Sequence, residues 1–137
     1  VTSSGGTKEF FHPWTFTNST LNTTWAGISI GSAATGNQVF FIPNDFASLT
    51  SAVILVIPDA NETIQWDLAT RFGAAGEAEN AHTDSVANAQ LAVTNLQLAE
   101  LDITDALTGI AANDYCGLQF TSDTDTIHII GLRIKYL

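Results

Sequence analysis

Hydrophobic and polar residues alternate over short stretches of this chain, and turn-forming residues separate these stretches. The clearest example is Glu62–Thr70, in which Ile64, Trp66 and Leu68 would share one face of a strand. The last stretch, Thr126–Leu137, has an apolar residue at every second position from 130 to 136. This spacing predicts two strands that each bury one face.

Two apolar runs lie between these patterns and the N terminus. Val39–Pro43 and Ser51–Pro58 both end in proline, and both are too short for a typical helix. Their β-branched and aromatic content predicts strands that are buried on one or both faces. The turn residues Pro58–Asn61 then predict a hairpin that joins the second run to the alternating strand after it.

The segment Ser85–Leu101 allows two interpretations. Its Ala, Gln and Leu content permits a helix, but apolar pairs at positions 91 and 93 and at positions 96 and 98 have the spacing of a strand. The two pairs are offset by one residue at Asn95, so a strand with a bulge near Asn95 is favoured. After it, Ile103–Ile110 predicts one helical turn capped by Asp102 or Thr104.

Together these patterns predict about eight short strands and no long helix in a chain of 137 residues. No internal repeat is present, which excludes propellers and solenoids. The predicted fold is an all-β, antiparallel β-sandwich, most simply an eight-stranded jelly roll. We expect residues 1–9 to form a flexible N-terminal arm, because the segment Val1–Thr7 is small, polar and contains glycine. Residues 10–137 are predicted to form a single jelly-roll domain.

The charge of the chain excludes several classes of partner. Its formal net charge is −10, and Lys and Arg are missing from Glu9–Thr70 and from Phe72–Leu132. Such a surface cannot neutralise phosphates, so nucleic acid is excluded as a partner. Anionic membrane surfaces would repel it, and no apolar run reaches the roughly 20 residues of a membrane span.

The sequence contains no recognisable catalytic motif, so we expect no enzymatic activity and no cofactor. The densest polar cluster is His82 with Glu77, Glu79 and Asp84, which could form an oxygen-rich cation site. The acidic pair Asp123 and Asp125 flanks a turn and could do the same. Without regular ligand spacing we interpret both clusters as solvated loops and predict no metal site. The single cysteine, Cys116, is interpreted as a small buried residue rather than a nucleophile.

Aromatic residues are concentrated near the N terminus. In a first strand they would anchor the core, and otherwise they would lie at a subunit interface, where large aromatic side chains are enriched. The candidate interface residues are Phe10, Phe11, Trp14, Phe16 and Trp25. Three Asn-x-Ser/Thr sequons, at Asn18, Asn22 and Asn61, are interpreted as chance matches in a chain rich in Asn and Thr.

The second half of the chain carries a distinctive series of motifs. An Ile-Pro-Asp turn leads into the alternating strand with Trp66, and later come Leu-Asp-Ile-Thr-Asp-Ala-Leu, Asp-Tyr-Cys-Gly-Leu-Gln-Phe and Ile-Ile-Gly-Leu-Arg-Ile-Lys-Tyr. This part, Pro58–Leu137, resembles the small jelly-roll proteins of tailed phages that decorate capsids or occur in head and tail fibres. The resemblance implies a trimeric, non-enzymatic protein exposed on the virion, and it supplies no catalytic residues.

Two functions follow as hypotheses. In the first, the protein is a virion structural component that forms a homotrimer and stabilises the particle by binding the major capsid protein or another virion protein at the virion surface. In the second, it is a receptor- or carbohydrate-binding jelly-roll module of a phage fibre or a lectin-like protein. A sugar site needs exposed aromatic side chains beside polar groups, and the candidates for it are Trp14, Trp25 and Trp66.

Overall fold

A computed structural model describes residues 6–14, 20–21, 25–31, 33–123 and 127–137. These residues form eleven strands and one 3₁₀ helix. The elements in chain order are β1 (Lys8–Pro13), β2 (Thr20–Leu21), β3 (Trp25–Ala26), β4 (Ile28–Ile30), β5 (Thr35–Phe41), β6 (Leu49–Pro58), β7 (Glu62–Gly73), β8 (His82–Val93), β9 (Ala99–Asp102), η1 (Thr104–Ala106), β10 (Tyr115–Ser122) and β11 (Ile127–Tyr136).

The strands form two antiparallel sheets that pack face to face. The first sheet has the order β1-β11-β6-β9. Strands β1 and β4 lie on the same side of β11: β4 pairs with the beginning of β11, and β1 pairs with the rest of it. The second sheet has the order β5-β10-β7-β8, and β2 and β3 form a separate ribbon. If β1 and β4 are taken as one interrupted strand, each sheet has four strands. This is the eight-stranded jelly roll that the sequence predicted.

The core lies between the two sheets. Inward residues of the second sheet, such as Ile64, Trp66 and Phe120, are at most 3% exposed, and so are Ile54 and Leu132 of the first sheet. The sequence therefore predicted correctly which side chains of β7 point into the core. In β11 the register shifts between Ile129 and Gly131, which resets the alternation along that strand.

The connection predicted as a hairpin joins two different sheets. Strand β6 pairs with β11 and β9, whereas β7 pairs with β10 and β8, so the turn at Pro58–Asn61 crosses the sandwich. The hairpin prediction was wrong because alternation shows which face of a strand is buried and not which strand lies beside it.

The ambiguous segment is a strand, but its bulge lies elsewhere than predicted. The register of β7 and β8 shifts between Trp66 and Leu68, opposite Asn88, which has a φ of 57°. Asn95 instead belongs to the turn between β8 and β9, where Leu96 has a φ of 60°. The offset of the apolar pairs therefore marks the passage of the chain from one sheet to the other. The single helical turn is confirmed as η1, and the Asp102 carboxylate accepts hydrogen bonds from the Thr104 N–H (2.9 Å) and hydroxyl (2.6 Å).

The boundary of the N-terminal arm needs correction. Lys8 and Glu9 were assigned to the arm, but both lie in β1 and pair with Tyr136 and Lys135 of the last strand. The Lys8 ammonium also lies 3.0 Å from the Asp45 carboxylate, which ties the start of the strand to a neighbouring loop. The first five residues lie outside the described part of the chain.

Candidate functional site

The outward-facing side of the second sheet contains a wide depression. Its floor is formed by the small residues Ala69 and Gly117, and Asn37, Val39, Arg71 and Gln119 rise around them. We call this depression the outer groove. Its volume is about 780 Å³, within the range of small-molecule sites.

The floor of the outer groove is open because of its two small residues. A methyl group placed on Gly117 would meet only the backbone oxygen of Arg71, at 3.9 Å. Register places Gly117 between Val39 on β5 and Arg71 on β7, so longer side chains flank it on both sides. The groove therefore runs across the strands over a floor of backbone.

An exposed aromatic pair lies at one end of the same face. Phe41 and Tyr115 are directly opposite each other on β5 and β10, with ring centroids 5.1 Å apart. They are 44% and 56% exposed, which is unusual for a contacting pair of large rings. Tyr115 lines a second depression of about 430 Å³, which shares Val39, Arg71 and Gly117 with the outer groove.

Amide and carboxylate groups occupy the other end of the face. Gln65 donates to the Asn88 side-chain oxygen and accepts from the Gln90 amide, both at 3.0 Å. Burial, together with the negative charge and hydrogen bond of Asp67, raises the pKa of Asp123 above its ordinary value. The outward face of the second sheet is thus aromatic at one end and rich in hydrogen-bonding groups at the other, with the outer groove between them.

The side chains of His82, Glu77, Glu79 and Asp84, which we interpreted from the sequence as a solvated loop and not a cation site, do not converge on one point. His82 contacts Glu77 at 3.1 Å, but Glu79 pairs with Arg71 and Asp84 accepts hydrogen bonds from Thr108. Their carboxylates are directed to different partners, and the residues of this loop from 74 to 81 are all exposed. Among the described residues, no group of three or more His, Cys, Asp or Glu side chains could hold a metal ion. Asp125 lies outside the described residues.

The lone cysteine is part of the core. Cys116 is fully buried, and burial, with a smaller effect of the Asp114 carboxylate, raises the pKa of its thiol to about 12. The thiolate is therefore scarce at neutral pH, which agrees with a structural role. Tyr115, the preceding residue of the strand, points to the opposite side and belongs to the exposed pair.

The candidate interface residues have different environments. Trp14 is fully buried, so of the two alternatives it follows the first: it anchors the core and does not lie at an interface. Phe10 packs edge-on against Tyr136, with ring centroids 6.3 Å apart. Phe11 and Trp25 are 47% and 40% exposed, and an interface there stays a prediction. Phe16 lies outside the described residues.

The tryptophans proposed for a sugar site do not form one together. Trp14 and Trp66 are core residues, and Trp25 lies in the small ribbon beside the first sheet. The sequence reasoning missed Phe41 and Tyr115. The available signal was their position next to buried Phe40 and Cys116, because neighbours in a strand point to opposite faces.

Of the sequons, only Asn61 lies in the described part of the chain; Asn18 and Asn22 lie outside it. The Asn61 side-chain oxygen accepts a hydrogen bond of 2.8 Å from the Asn95 N–H. This contact holds the turn after β6 against the turn after β8. The Asn61 side chain therefore has a structural role.

Comparison with known proteins gives few matches. No protein-family model matches the chain, and no curated protein matches it. Among solved structures, it is similar to the CBM36-1 domain of a multidomain xylanase from the hindgut metagenome of Trinervitermes trinervoides. The identity is 14%, the match covers 94% of this chain and 96% of that one, and the TM-score is 0.48. This similarity assigns no ligand and no site to the chain. The described residues include no helix that is long and apolar enough to cross a membrane.

Proposed function

We propose that the protein is a non-enzymatic binding domain that holds a neutral glycan across the outer groove and the second depression beside it, which Tyr115 lines. The observation that carries the proposal is the exposed pair Phe41 and Tyr115 beside an open floor at Gly117 and a polar side chain at Gln119. Ligand sites combine apolar contact area with a few polar groups that orient the ligand, and this face offers both.

The aromatic pair supplies the contact area. Buried rings stabilise the core, but Tyr115 and Phe41 expose about half of their surface to solvent. An aromatic ring is rigid and apolar on its face, so it gains contact with a sugar ring at little cost in conformational entropy. The Tyr115 hydroxyl adds a hydrogen-bonding group at the same end.

The negative charge of the chain favours a neutral ligand. The chain has a net charge of −10, so anionic ligands would be repelled. The one cation on this face, Arg71, already pairs with Glu79 at 2.6 Å. The side chains of Asn37 and Gln119 hydrogen-bond hydroxyl groups without requiring charge on the ligand.

A glycan array followed by titration calorimetry tests the proposal. We expect a neutral glycan to bind, and Tyr115→Ala to weaken its Kd about tenfold, which corresponds to a contact of about 1.4 kcal/mol. Gly117→Val should abolish binding, because the added methyl groups fill the floor of the groove and the backbone nearby leaves room for them.

The matched control is Phe11→Ala, which removes an equally exposed ring from the other sheet. It should leave binding unchanged. If no neutral glycan binds, or if binding survives both Tyr115→Ala and Gly117→Val in folded protein, the outer groove is not a glycan site.

A second candidate function is a structural role at the surface of a virion. It is supported by the jelly-roll fold, by the sequence resemblance, and by Phe11 and Trp25, which are exposed on a strand and ribbon of the other half of the sandwich. In this proposal the two rings are covered when the protein attaches to a particle. Phe11→Ser and Trp25→Ser should then reduce the fraction of protein that sediments with the particles, and unchanged attachment would remove this candidate.

A further inference from the structure

The outer groove crosses the whole second sheet from one edge to the other. Three consecutive residues of each of β5, β10, β7 and β8 line it, and the strand register places them in three rows across the sheet. The middle row, which includes Leu118 and Thr70, points into the core. The two outer rows point to solvent, and they consist of Val39, Gly117, Arg71 and Thr83 and of Asn37, Gln119, Ala69 and Ser85. The groove therefore runs between two rows of side chains, perpendicular to the strands.

Both ends of the outer groove are open in the described part of the chain. The groove spans three strand spacings, or about 14 Å. Every described residue that lines it belongs to one of the four strands, so no described loop closes it at either edge of the sheet. A site for the end of a polymer needs a wall where the polymer stops. This groove instead fits an internal stretch of an extended chain.

The polar side chains of the groove are available to a ligand. Four of them are exposed and make no hydrogen bond to another described residue: Asn37, Gln119, Thr83 and Ser85. Further along the same face, the amides of Gln65, Asn88 and Gln90 bond to one another at 3.0 Å. The four available side chains are distributed across the sheet from β5 to β8, so they can bind the hydroxyl groups of successive sugars.

The second depression joins the outer groove from the side. The two share Val39, Gly117 and Arg71, which form the outer row nearer to Tyr115. Gly117 has no side chain, so this row has a gap on β10 between its two larger neighbours. The next outward residue of β10 beyond the gap is Tyr115. The two depressions therefore meet at Gly117 in the shape of a T.

The second depression, unlike the groove, is bounded by a loop. Residues 74–79 line it, and two sets of contacts hold them in place. The Arg71 guanidinium donates to both Glu79 carboxylate oxygens, at 2.9 and 2.6 Å. The Glu77 carboxylate accepts from the Ala74 N–H at 2.7 Å. With a volume of about 430 Å³ against about 780 Å³ for the groove, this depression fits a short group and not a continuing chain.

We propose that the ligand is a linear neutral polysaccharide that carries short sugar branches, a proposal that rests on the glycan function above. The main chain lies along the outer groove. One branch passes over Gly117 into the second depression, where it contacts the ring of Tyr115. The site thereby favours branched chains over unbranched chains of the same sugar.

Titration calorimetry with matched pairs of soluble fragments tests this preference. The pairs are mannan and galactomannan, xylan and arabinoxylan, and cello-oligosaccharides and xyloglucan. We expect the branched member of at least one pair to bind about tenfold more tightly than its unbranched partner, because only the branch reaches the Tyr115 ring. Tyr115→Ala should remove this preference, lowering the affinity for the branched member to that of the unbranched one and leaving the latter nearly unchanged.

Gln119→Ala is the matched control, since it alters an exposed residue of the same strand that lines the outer groove and not the second depression. It should weaken both members of a pair by the same factor. Equal affinities within every pair, no binding to any of these fragments, or an equal loss for both members in Tyr115→Ala would overturn the branch assignment. The glycan site itself is refuted by a different result, namely that no neutral glycan on the array binds.

Discussion

Two replacements of Trp66, by alanine and by phenylalanine, separate the effect of the size of this side chain on stability from the effect of its N–H group. The side chain is 3% exposed between Ile64 and Leu68 on the inward face of β7. Its ring nitrogen is buried, and no described residue accepts a hydrogen bond from it. Trp66 therefore stabilises the core through packing, while its N–H opposes folding.

The magnitudes follow from this arrangement. Trp66→Ala leaves a large cavity, and aromatic-to-Ala changes in cores cost about 3–5 kcal/mol. For a chain of this length that is a decrease in Tm of roughly 10–20 °C. Trp66→Phe loses part of the packing but removes an unpaired donor, whose burial costs about 1–3 kcal/mol. We expect the net effect of Trp66→Phe to lie within about 1 kcal/mol of wild type.

Thermal and urea unfolding, followed by circular dichroism, measure both variants. Trp25→Ala is the control, since that ring is 40% exposed and its loss should change Tm by only a few degrees. An unchanged Tm for Trp66→Ala would refute the packing assignment. A Trp66→Phe variant as unstable as Trp66→Ala would show that the indole N–H has a partner after all.

Two further predictions concern backbone contact and pH. Gly27→Ala should destabilise the fold by about 1–3 kcal/mol in urea unfolding, because its methyl group would collide with the backbone oxygen of Ile129, whereas Gly6→Ala should have little effect. Because the pKa of Asp123 is raised, the folded state binds its proton more tightly than the unfolded state, and this contribution to stability decreases as pH rises from 3.8 through the raised pKa. Asp123→Asn should therefore raise Tm at neutral pH more than at pH 3, and equal shifts at both would contradict the assigned cause.

The sequence by itself determined the fold class and most of the inward-facing residues. The alternation around Trp66 and along β11 is set by which side chains must leave water, and this is a local property of each strand. The structural role of Cys116 followed from the same kind of argument. The charge pattern likewise belongs to the sequence, because net charge does not depend on folding.

Tertiary structure decided which strands are neighbours and what each exposed side chain meets. The turn at Pro58–Asn61 crosses between sheets, although its composition is that of a hairpin, because pairing depends on contacts distant in sequence. Phe41 and Tyr115 are 74 positions apart and meet only through the pairing of β5 with β10. Glu79 and Asp84 lie near His82 in sequence but bind other partners. The outer groove is a product of sheet order, which alternation along one strand cannot specify.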